Sequence, residues 1–341
     1  MRHFSALLLV VTALSARATT SSFTIVASFY PVYIATKNVT RDAPGVDLRS
    51  LAPPTTGCLH DYQLTPADIL LLERADVLVL NGAGMEPMLA SWIKQHPHLP
   101  VIDSSEGIPL IMQSSLHAHL TCHHPLPHEQ EHPCHHPVPN PHYWLSVTRH
   151  MRQVENIAMG LAAADPLRAA YYLTNAASYV ATLRHLRCEL RRILADLPQR
   201  ELITMHDAFP YFAQEFGFTI IAVIQSEPGQ APSARRLAEL AQLIRAKGLR
   251  AIFAEPQYSD APARTLARET GAAVAMLDPI VTGPDDLDAY CAAMRRNAQT
   301  LRTSLTTPLP ALSPPPHISK SLSPNPADTC AADPTNACFA K

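Results

Sequence analysis

The amino-acid sequence predicts an α/β protein with two lobes, each a parallel (βα)4-like sheet covered by helices, joined by one long rigid α-helix. Short apolar and β-branched runs alternate with amphipathic stretches in two groups, one on each side of residues 165–198. Strands that alternate with helices in this way form parallel sheets. With 341 residues, 47% of them hydrophobic, the chain is long enough to bury two modest cores.

Short runs in both halves of the chain are predicted to be strands. In the first half they are FTIVASF at 23–29, VDLRSLA at 46–52, DVLVLNG at 76–82 and PVID at 100–103. In the second half they are ELITM at 201–205, FTIIAVI at 218–224, RAIFA at 250–254 and AAVAML at 272–277. We therefore expect an N-terminal lobe over 19–164 and a C-terminal lobe over 199–306.

The segment between the two groups, residues 165–198, has Leu and Tyr at helical spacing, with no Gly and no internal Pro after Pro166. Pro166 suits the first turn of a helix, and Asp165 suits the capping position before it. The segment is predicted to be one stiff helix that links the lobes, about 45 Å long at 1.5 Å per residue.

The N-terminus has the pattern of a signal peptide. A basic start at Arg2 precedes an apolar run from Phe4 to Leu14, and small residues follow at Ala16 and Ala18. The run is shorter than the roughly 20 apolar residues that span a bilayer, which argues against a retained anchor. We expect residues 1–18 to be removed and the protein to be periplasmic, without a lipid-attached Cys near the cleavage site.

Composition argues against a nucleic-acid partner but does not decide how the cysteines pair. The chain has 27 basic and 29 acidic residues, a balance that argues against nucleic-acid binding. Its 7 cysteines are an odd number, so at least one is unpaired. An exported protein can form disulfides, and Cys122 with Cys134 and Cys330 with Cys338 are close enough along the chain to consider.

Two Pro-rich segments do not resemble folded core. Residues 113–141 are expected to form an exposed loop that carries a dense set of histidines: His117, His119, His123, His124, His128, His132, His135 and His136. Residues 307–341 are rich in Pro and Ser without periodic apolar positions, and we expect this tail to be disordered.

Four potential metal ligands follow the carboxyl ends of predicted strands. His60 lies in the loop after the second strand, and His142 lies beyond the fourth strand and the His-rich segment. His206 directly follows ELITM, and Asp278 directly follows AAVAML. Ligands of open α/β sheets collect at that edge. Two ligands from each half are therefore predicted to hold one metal ion in the cleft between the lobes.

Each of these residues also has an ordinary structural explanation. His60 fits a surface loop, His142 fits a histidine braced by the neighbouring tryptophan, and Asp278 fits a turn before proline. His206 with Asp207 fits a cap ahead of the next helix. The joint placement, rather than any single residue, favours the metal site.

Motifs along residues 23–306 carry a family resemblance. In order they are SFYPVY at 28–33, LAPPTTGCLHDYQLTPAD at 51–68, NGAGMEP at 81–87, NPHYWLS at 140–146, MHDAFPYFAQEFG at 205–217, FAEPQYS at 253–259 and LDPI at 277–280. The chain resembles the zinc- and manganese-type (cluster A-I) solute-binding proteins of bacterial ABC importers. The resemblance implies two lobes bridged by a rigid helix, with a metal ion buried between them.

The resemblance implies that His60, His142 and His206 bind the metal and that Asp278 completes or closely supports the site. Glu255 in the matching EPQ sequence is expected either to orient a ligating imidazole or to have a structural role. Three imidazoles and one carboxylate suit tetrahedral Zn²⁺, whereas Mn²⁺ favours more oxygen ligands. Zn²⁺ is the predicted ion rather than Mn²⁺. Cu²⁺ and Ni²⁺ are not excluded by this argument, because both bind imidazole strongly.

Cys58 lies two residues before His60, and its thiolate is a further candidate ligand. A disulfide partner and a small buried residue are the competing explanations, and we favour these because the family pattern does not require sulfur at this position.

The resemblance also implies a monomeric binding protein without catalytic activity that delivers metal to the membrane permease of an ABC importer. It implies that the His-rich segment collects metal with low affinity. A manganese-binding protein of the same class, a metal-dependent adhesin and a zinc hydrolase are the alternatives. The hydrolase is disfavoured because no GxSxG motif occurs in the sequence and because a carboxylate as fourth ligand would close the position that a reactive water needs.

Overall fold

Two parallel four-stranded sheets organise the computed structural model of the chain, which describes residues 22–59, 62–113, 138–225 and 230–306. The first sheet contains β1 (Phe23–Ala27), β2 (Val46–Ser50), β3 (Val77–Leu80) and β4 (Val101–Asp103). A small antiparallel pair follows, β5 (Met112–Gln113) with β6 (Val138–Pro139). The second sheet contains β7 (Glu201–Thr204), β8 (Thr219–Val223), β9 (Ala251–Ala254) and β10 (Ala273–Met276). Each predicted strand is present, slightly shorter than its apolar run.

Both large sheets have the same strand order. It is β2-β1-β3-β4 in the first and, read from the opposite edge, β8-β7-β9-β10 in the second. In the first sheet the chain adds β2 on one side of β1 and then β3 and β4 on the other, so the strand order reverses between β1 and β3. The second sheet does the same between β7 and β9. Crevices that bind ligands open at such reversal points, beyond the carboxyl ends of the strands. The loops that follow these strands are therefore the first places to look for a site.

Helices cover the sheets. They are α1 (Tyr30–Val39), α2 (Pro66–Leu72), α3 (Ala90–Gln95), α4 (Val147–Ala164), α5 (Ala169–Ile193), α6 (Pro210–Phe216), α7 (Ala234–Lys247), α8 (Ala261–Thr270) and α9 (Ala289–Thr306). The predicted α/β fold class, with parallel sheets and a long central helix, is confirmed.

The long helix begins later than the sequence pattern predicts. A 3₁₀ turn at Pro166–Arg168 precedes α5, which spans 25 residues or about 37 Å. Asp165 occupies the N-cap position of this 3₁₀ turn but makes no side-chain capping hydrogen bond; its Oδ2 accepts hydrogen bonds from Arg168 Nη1 at 2.9 Å and from the Tyr172 hydroxyl at 2.7 Å. The Arg168 guanidinium and the Tyr172 hydroxyl both donate to this carboxylate. The carboxylate therefore does not accept hydrogen bonds from the backbone amides of the first turn.

One hydrophobic core extends through both halves. It contains Ile25 of β1, Leu183 of α5, Leu202 of β7 and Leu305 of α9, each fully buried. A smaller cluster lies wholly within the second half, around Ile203 and other residues of its sheet. All described residues belong to one compact unit, so the proposed boundaries at 19–164 and 199–306 stay a prediction.

Several predicted features lie outside the described residues. They are the signal peptide at 1–18, His60, the histidines from His117 to His136, the tail at 307–341, and Cys122, Cys134, Cys330 and Cys338. Within the described part of the chain, Cys58, Cys188 and Cys291 are free thiols. No helix in that part has both the length and the apolar character needed to cross a membrane.

Candidate metal-binding site

Two imidazoles and one thiol meet at one point between the two sheets. Cys58 Sγ lies 3.4 Å from His142 Nε2 and 3.9 Å from His206 Nε2. The two Nε2 atoms are themselves 3.4 Å apart. Among the described residues, these three side chains form the cluster of potential metal ligands whose ligand atoms all lie within 4.8 Å of one another. The cluster draws on a loop that follows β2, the segment after β6 and the loop that follows β7.

The orientation of His142 is set by Asn140. The Asn140 Oδ1 atom accepts hydrogen bonds from the His142 backbone N–H at 2.9 Å and from Nδ1 at 3.0 Å. The amide nitrogen of Asn140 donates to the Asp207 carbonyl at 2.8 Å, so the amide cannot be turned around without losing that bond. Nδ1 of His142 therefore carries the proton, and its Nε2 lone pair is directed at the cluster.

The orientation of His206 is set by a buried carboxylate. His206 lies in the loop that follows β7. Glu255 directly follows β9, the strand next to β7 where the strand order of the second sheet reverses. Glu255 Oε1 accepts from the His206 backbone N–H at 3.2 Å and from Nδ1 at 2.8 Å. Burial lowers the pKa of His206, but the Glu255 charge and the contact with Cys58 outweigh it and raise that pKa to about 10. Glu255 thus makes the supporting contact expected of it.

The Nε2 nitrogens of the two imidazoles face one another. With each Nδ1 engaged, each ring in its neutral form would present an Nε2 lone pair, and the two Nε2 atoms are 3.4 Å apart. The raised pKa of His206 means that its Nε2 carries a proton at neutral pH. Two acceptors at this distance repel unless a proton or a metal ion lies between them. The arrangement is therefore suited to hold a cation.

Aromatic side chains surround the imidazoles. The ring of Trp144 lies 5.2 Å from that of His142, and the ring of Tyr258 stands edge-on to His206 at 5.5 Å. Both histidines are only 2% exposed. The aromatic residues that the sequence places beside the ligands are fully or almost fully buried, namely Tyr143, Trp144, Phe209, Tyr211 and Phe212. Such walls exclude water, which strengthens any metal–ligand bond formed inside.

The four residues predicted to bind the metal do not all fall in this cluster. His142 and His206 do, and His60 lies outside the described residues. Asp278 is not part of the cluster: its Oδ1 accepts the Ile280 backbone N–H at 2.7 Å, the turn geometry that its ordinary explanation predicts. Burial raises the pKa of Asp278 above its usual value. The metal-binding roles of His60 and Asp278 stay predictions.

One alternative explanation for His206 is wrong. The helix that follows it, α6, begins at Pro210, and its capping residue is Phe209, without a side-chain hydrogen bond. His206 and Asp207 therefore do not cap that helix.

Sequence reasoning missed one residue and underrated another. Asn140 was not singled out, although it stands two residues before His142, within reach of that ring. Cys58 was considered but ranked below packing and disulfide roles, because nothing local indicates that it lies beside residues 84 and 148 positions away.

Comparison with known proteins agrees with this fold. The family model described as zinc-uptake complex component A, periplasmic (ZnuA), matches residues 25–304. The high-affinity zinc uptake system protein ZnuA of Bacillus subtilis (strain 168) is 32% identical over 294 residues, which are 82% of this chain and 87% of that protein. The zinc-binding protein AdcA of Streptococcus pyogenes serotype M3 is 31% identical over 297 residues, 83% of this chain and 56% of that protein. A solved structure of a ZnuA deletion mutant with zinc bound is 30% identical with a TM-score of 0.69, over 84% of this chain and 100% of that one. This chain therefore belongs to the ZnuA family of periplasmic zinc-uptake components.

Proposed function

We propose that this chain captures Zn²⁺ outside the cytoplasm and delivers it to the membrane permease of an ABC-type importer. The observation that carries the proposal is the pair of buried Nε2 atoms, 3.4 Å apart, each on a ring whose other nitrogen is engaged. Imidazole nitrogen suits Zn²⁺ better than Mn²⁺, which prefers oxygen ligands. Membership of a family of zinc-uptake components supports the same ion.

Capture and delivery require binding and release but no bond making, so we propose that the protein is not an enzyme. We propose that it acts as a monomer in the periplasm. His60 would supply a third imidazole, because it follows the buried Leu59 in the same loop as Cys58. Asp278 would support the site from the second half of the chain.

The His-rich segment is proposed to collect metal beside the main site. Its flanks are held together where Gln113 of β5 pairs with Val138 of β6. The chain then reaches Asn140 and His142 within a few residues. We expect the imidazoles between His117 and His136, which the chain joins to these flanks, to offer weaker, exchangeable binding.

Calorimetry on metal-stripped protein tests the main proposal. We expect His142→Ala and His206→Ala each to weaken Zn²⁺ binding by more than about 100-fold, the upper end of the loss caused by removing groups that only support a ligand. We expect a similar loss for His60→Ala. His185→Ala is the matched control, because His185 is exposed on α5 outside the ligand cluster, and it should bind as the wild type does.

Wild-type affinity in both the His142 and the His206 variants would refute the site. Elemental analysis of protein purified without added metal tests the identity of the ion. We expect zinc to dominate; a manganese-dominated result would overturn the choice of ion while leaving the transport role.

A further inference from the structure

We propose that Cys58 is itself a ligand of the captured ion, so that this chain binds zinc through sulfur as well as through imidazole nitrogen. The inference rests on the proposed zinc-capture function and adds to it a residue that determines which ions are accepted. It is carried by the position of the thiol relative to two oriented imidazoles.

The distances match those of a tetrahedral zinc site. With bonds of about 2.3 Å to sulfur and about 2.0–2.1 Å to nitrogen, tetrahedral geometry places sulfur about 3.5 Å from each nitrogen and the nitrogens about 3.3 Å apart. The corresponding separations are 3.4 and 3.9 Å from Cys58 Sγ to the Nε2 atoms of His142 and His206, and 3.4 Å between those nitrogens. The three atoms thus already stand at three corners of one coordination shell.

The loop that carries Cys58 is held in this position from both sides. Leu59 is 1% exposed and belongs to the main hydrophobic core. On the other side, Gly57 is itself buried and adopts φ +87°. The backbone on each side of Cys58 is therefore packed, which directs its half-buried side chain at the imidazoles.

The position of Cys58 Sγ is explained less completely by a packing role or by an S–H hydrogen bond than by metal binding. A thiol has one proton and can donate to one Nε2, yet Sγ lies within 4.0 Å of both Nε2 atoms. A metal ion interacts favourably with all three groups at once. When the ion displaces the proton from Nε2 of His206, a thiolate brings one negative charge to two neutral imidazoles, which favours a divalent cation further.

Sulfur changes the range of ions that the site accepts. Thiolate is a soft ligand that favours zinc and other thiophilic ions, whereas Mn²⁺ is selected by oxygen ligands. Binding forms the metal–sulfur bond and releases the thiol proton to solvent, so no oxidant or reductant is needed. We therefore expect Cys58 to widen the difference in affinity between Zn²⁺ and Mn²⁺.

Cobalt substitution gives a direct readout of a metal–sulfur bond. Metal-stripped wild type, Cys58→Ser and Cys188→Ser are each loaded with one equivalent of Co²⁺, and their near-ultraviolet spectra are compared. Cys188 is a free and exposed thiol on α5, which makes it the matched control. We expect a sulfur-to-cobalt charge-transfer band in the wild type and in Cys188→Ser, and no such band in Cys58→Ser.

Calorimetry on the same three proteins measures selectivity. We expect Cys58→Ser to weaken Zn²⁺ binding by about tenfold or more and Mn²⁺ binding by less, with Cys188→Ser unchanged. A charge-transfer band that persists in Cys58→Ser, or tight Co²⁺ binding by the wild type without a band, would overturn the sulfur ligand and leave zinc capture intact. A wild-type protein that binds neither Zn²⁺ nor Co²⁺ would overturn both proposals.

Thiol alkylation tests the inference on the wild type alone, in case Cys58→Ser does not fold. Metal-stripped protein is treated with iodoacetamide, with and without Zn²⁺, and modification of each cysteine is followed by peptide mass spectrometry. We expect Zn²⁺ to slow the reaction of Cys58 while Cys188 reacts at the same rate. Equal rates at Cys58 in the two conditions would contradict ligation.

Discussion

The two described imidazoles of the site are oriented by different partners. A buried carboxylate, Glu255, accepts from Nδ1 of His206, whereas a neutral amide, Asn140, accepts from Nδ1 of His142. A carboxylate partner makes the imidazole more basic and a stronger ligand, while an amide mainly fixes the tautomer. We therefore expect the charge of Glu255 to affect affinity beyond its role in positioning.

The variant Glu255→Gln tests this charge. It keeps the shape of the side chain but removes the charge that faces His206, and we expect Zn²⁺ affinity to fall by about tenfold, the lower end for groups that support a ligand. Competition with a metal chelator measures the affinity. Glu239→Gln on α7 is the control, because Glu239 is about half exposed and lies outside the ligand cluster. Unchanged affinity in Glu255→Gln would mean that the carboxylate acts through shape alone.

A third histidine, His150, is buried in the helical layer and is not part of the site. Its ring stacks on Tyr290 at 4.0 Å, and its Nδ1 donates to Gln153 Oε1 at 2.9 Å. Burial lowers its pKa to about 4, and the bond to Gln153 only partly opposes the shift. In the unfolded chain an ordinary His takes up a proton near pH 6.5. As pH falls from about 6.5 to about 4, the unfolded state is protonated first and stability is lost.

We expect His150→Phe to remove this acid sensitivity. At about 1.4 kcal/mol per pKa unit, the wild type loses about 3 kcal/mol relative to the variant between pH 6.5 and 4. Urea unfolding of metal-stripped wild type and variant at a series of pH values measures the difference. The variant is compared with the wild type because Glu86 also changes stability over this pH range. Burial raises the pKa of Glu86 to about 7, so its effect on stability has the opposite sign. A difference in unfolding free energy that stays constant with pH would contradict the assignment.

At the scale of elements, the loop after β3 is constrained by backbone geometry. Glu86 accepts hydrogen bonds from the Ser28 hydroxyl at 2.7 Å and from the backbone N–H groups of Asn81 at 2.7 Å and Gly82 at 3.1 Å. These contacts connect the ends of β1 and β3 at the reversal point of the first sheet. Gly82 adopts φ +76°, and a Cβ there would lie 1.8 Å from Asp103 Oδ1. The loop therefore requires glycine for two separate reasons.

A pair of variants separates these reasons. Gly82→Ala is expected to lower the free energy of unfolding by about 3 kcal/mol, since it combines left-handed backbone strain with overpacking. Gly84→Ala is the control: φ is +79° but nothing lies within 4 Å of the added Cβ, so we expect about 1 kcal/mol. Chemical denaturation measures both. Equal losses would show that the contact with Asp103 contributes nothing.

At the scale of the whole molecule, the two halves are connected by hydrogen bonds as well as by the shared core. The Trp144 Nε1–H donates to the Pro279 carbonyl at 2.9 Å, and the Tyr290 hydroxyl donates to the Trp144 carbonyl at 2.8 Å. Tyr30 donates to the Pro284 carbonyl at 2.8 Å. The largest hydrophobic cluster contains residues of both halves, so we expect the halves to unfold together.

Scanning calorimetry tests this expectation. We predict one cooperative transition for the metal-stripped protein, and two separated transitions would contradict it. Zn²⁺ at 100 times its dissociation constant should add about 2.7 kcal/mol, because the ion binds the folded state and raises the transition temperature. His206→Ala should lose that shift. A wild-type protein that Zn²⁺ does not stabilise would argue against a site formed only in the folded chain.

The sequence by itself determined the eight strands, the long helix and the positions of His142 and His206, because apolar periodicity and the ends of strands are local properties of the chain. Only the tertiary structure decided that Cys58 lies beside both imidazoles and that Glu255 engages Nδ1 of His206. It also decided that α5 begins after a 3₁₀ turn. These features depend on strand order and on contacts between distant segments, which no local pattern specifies.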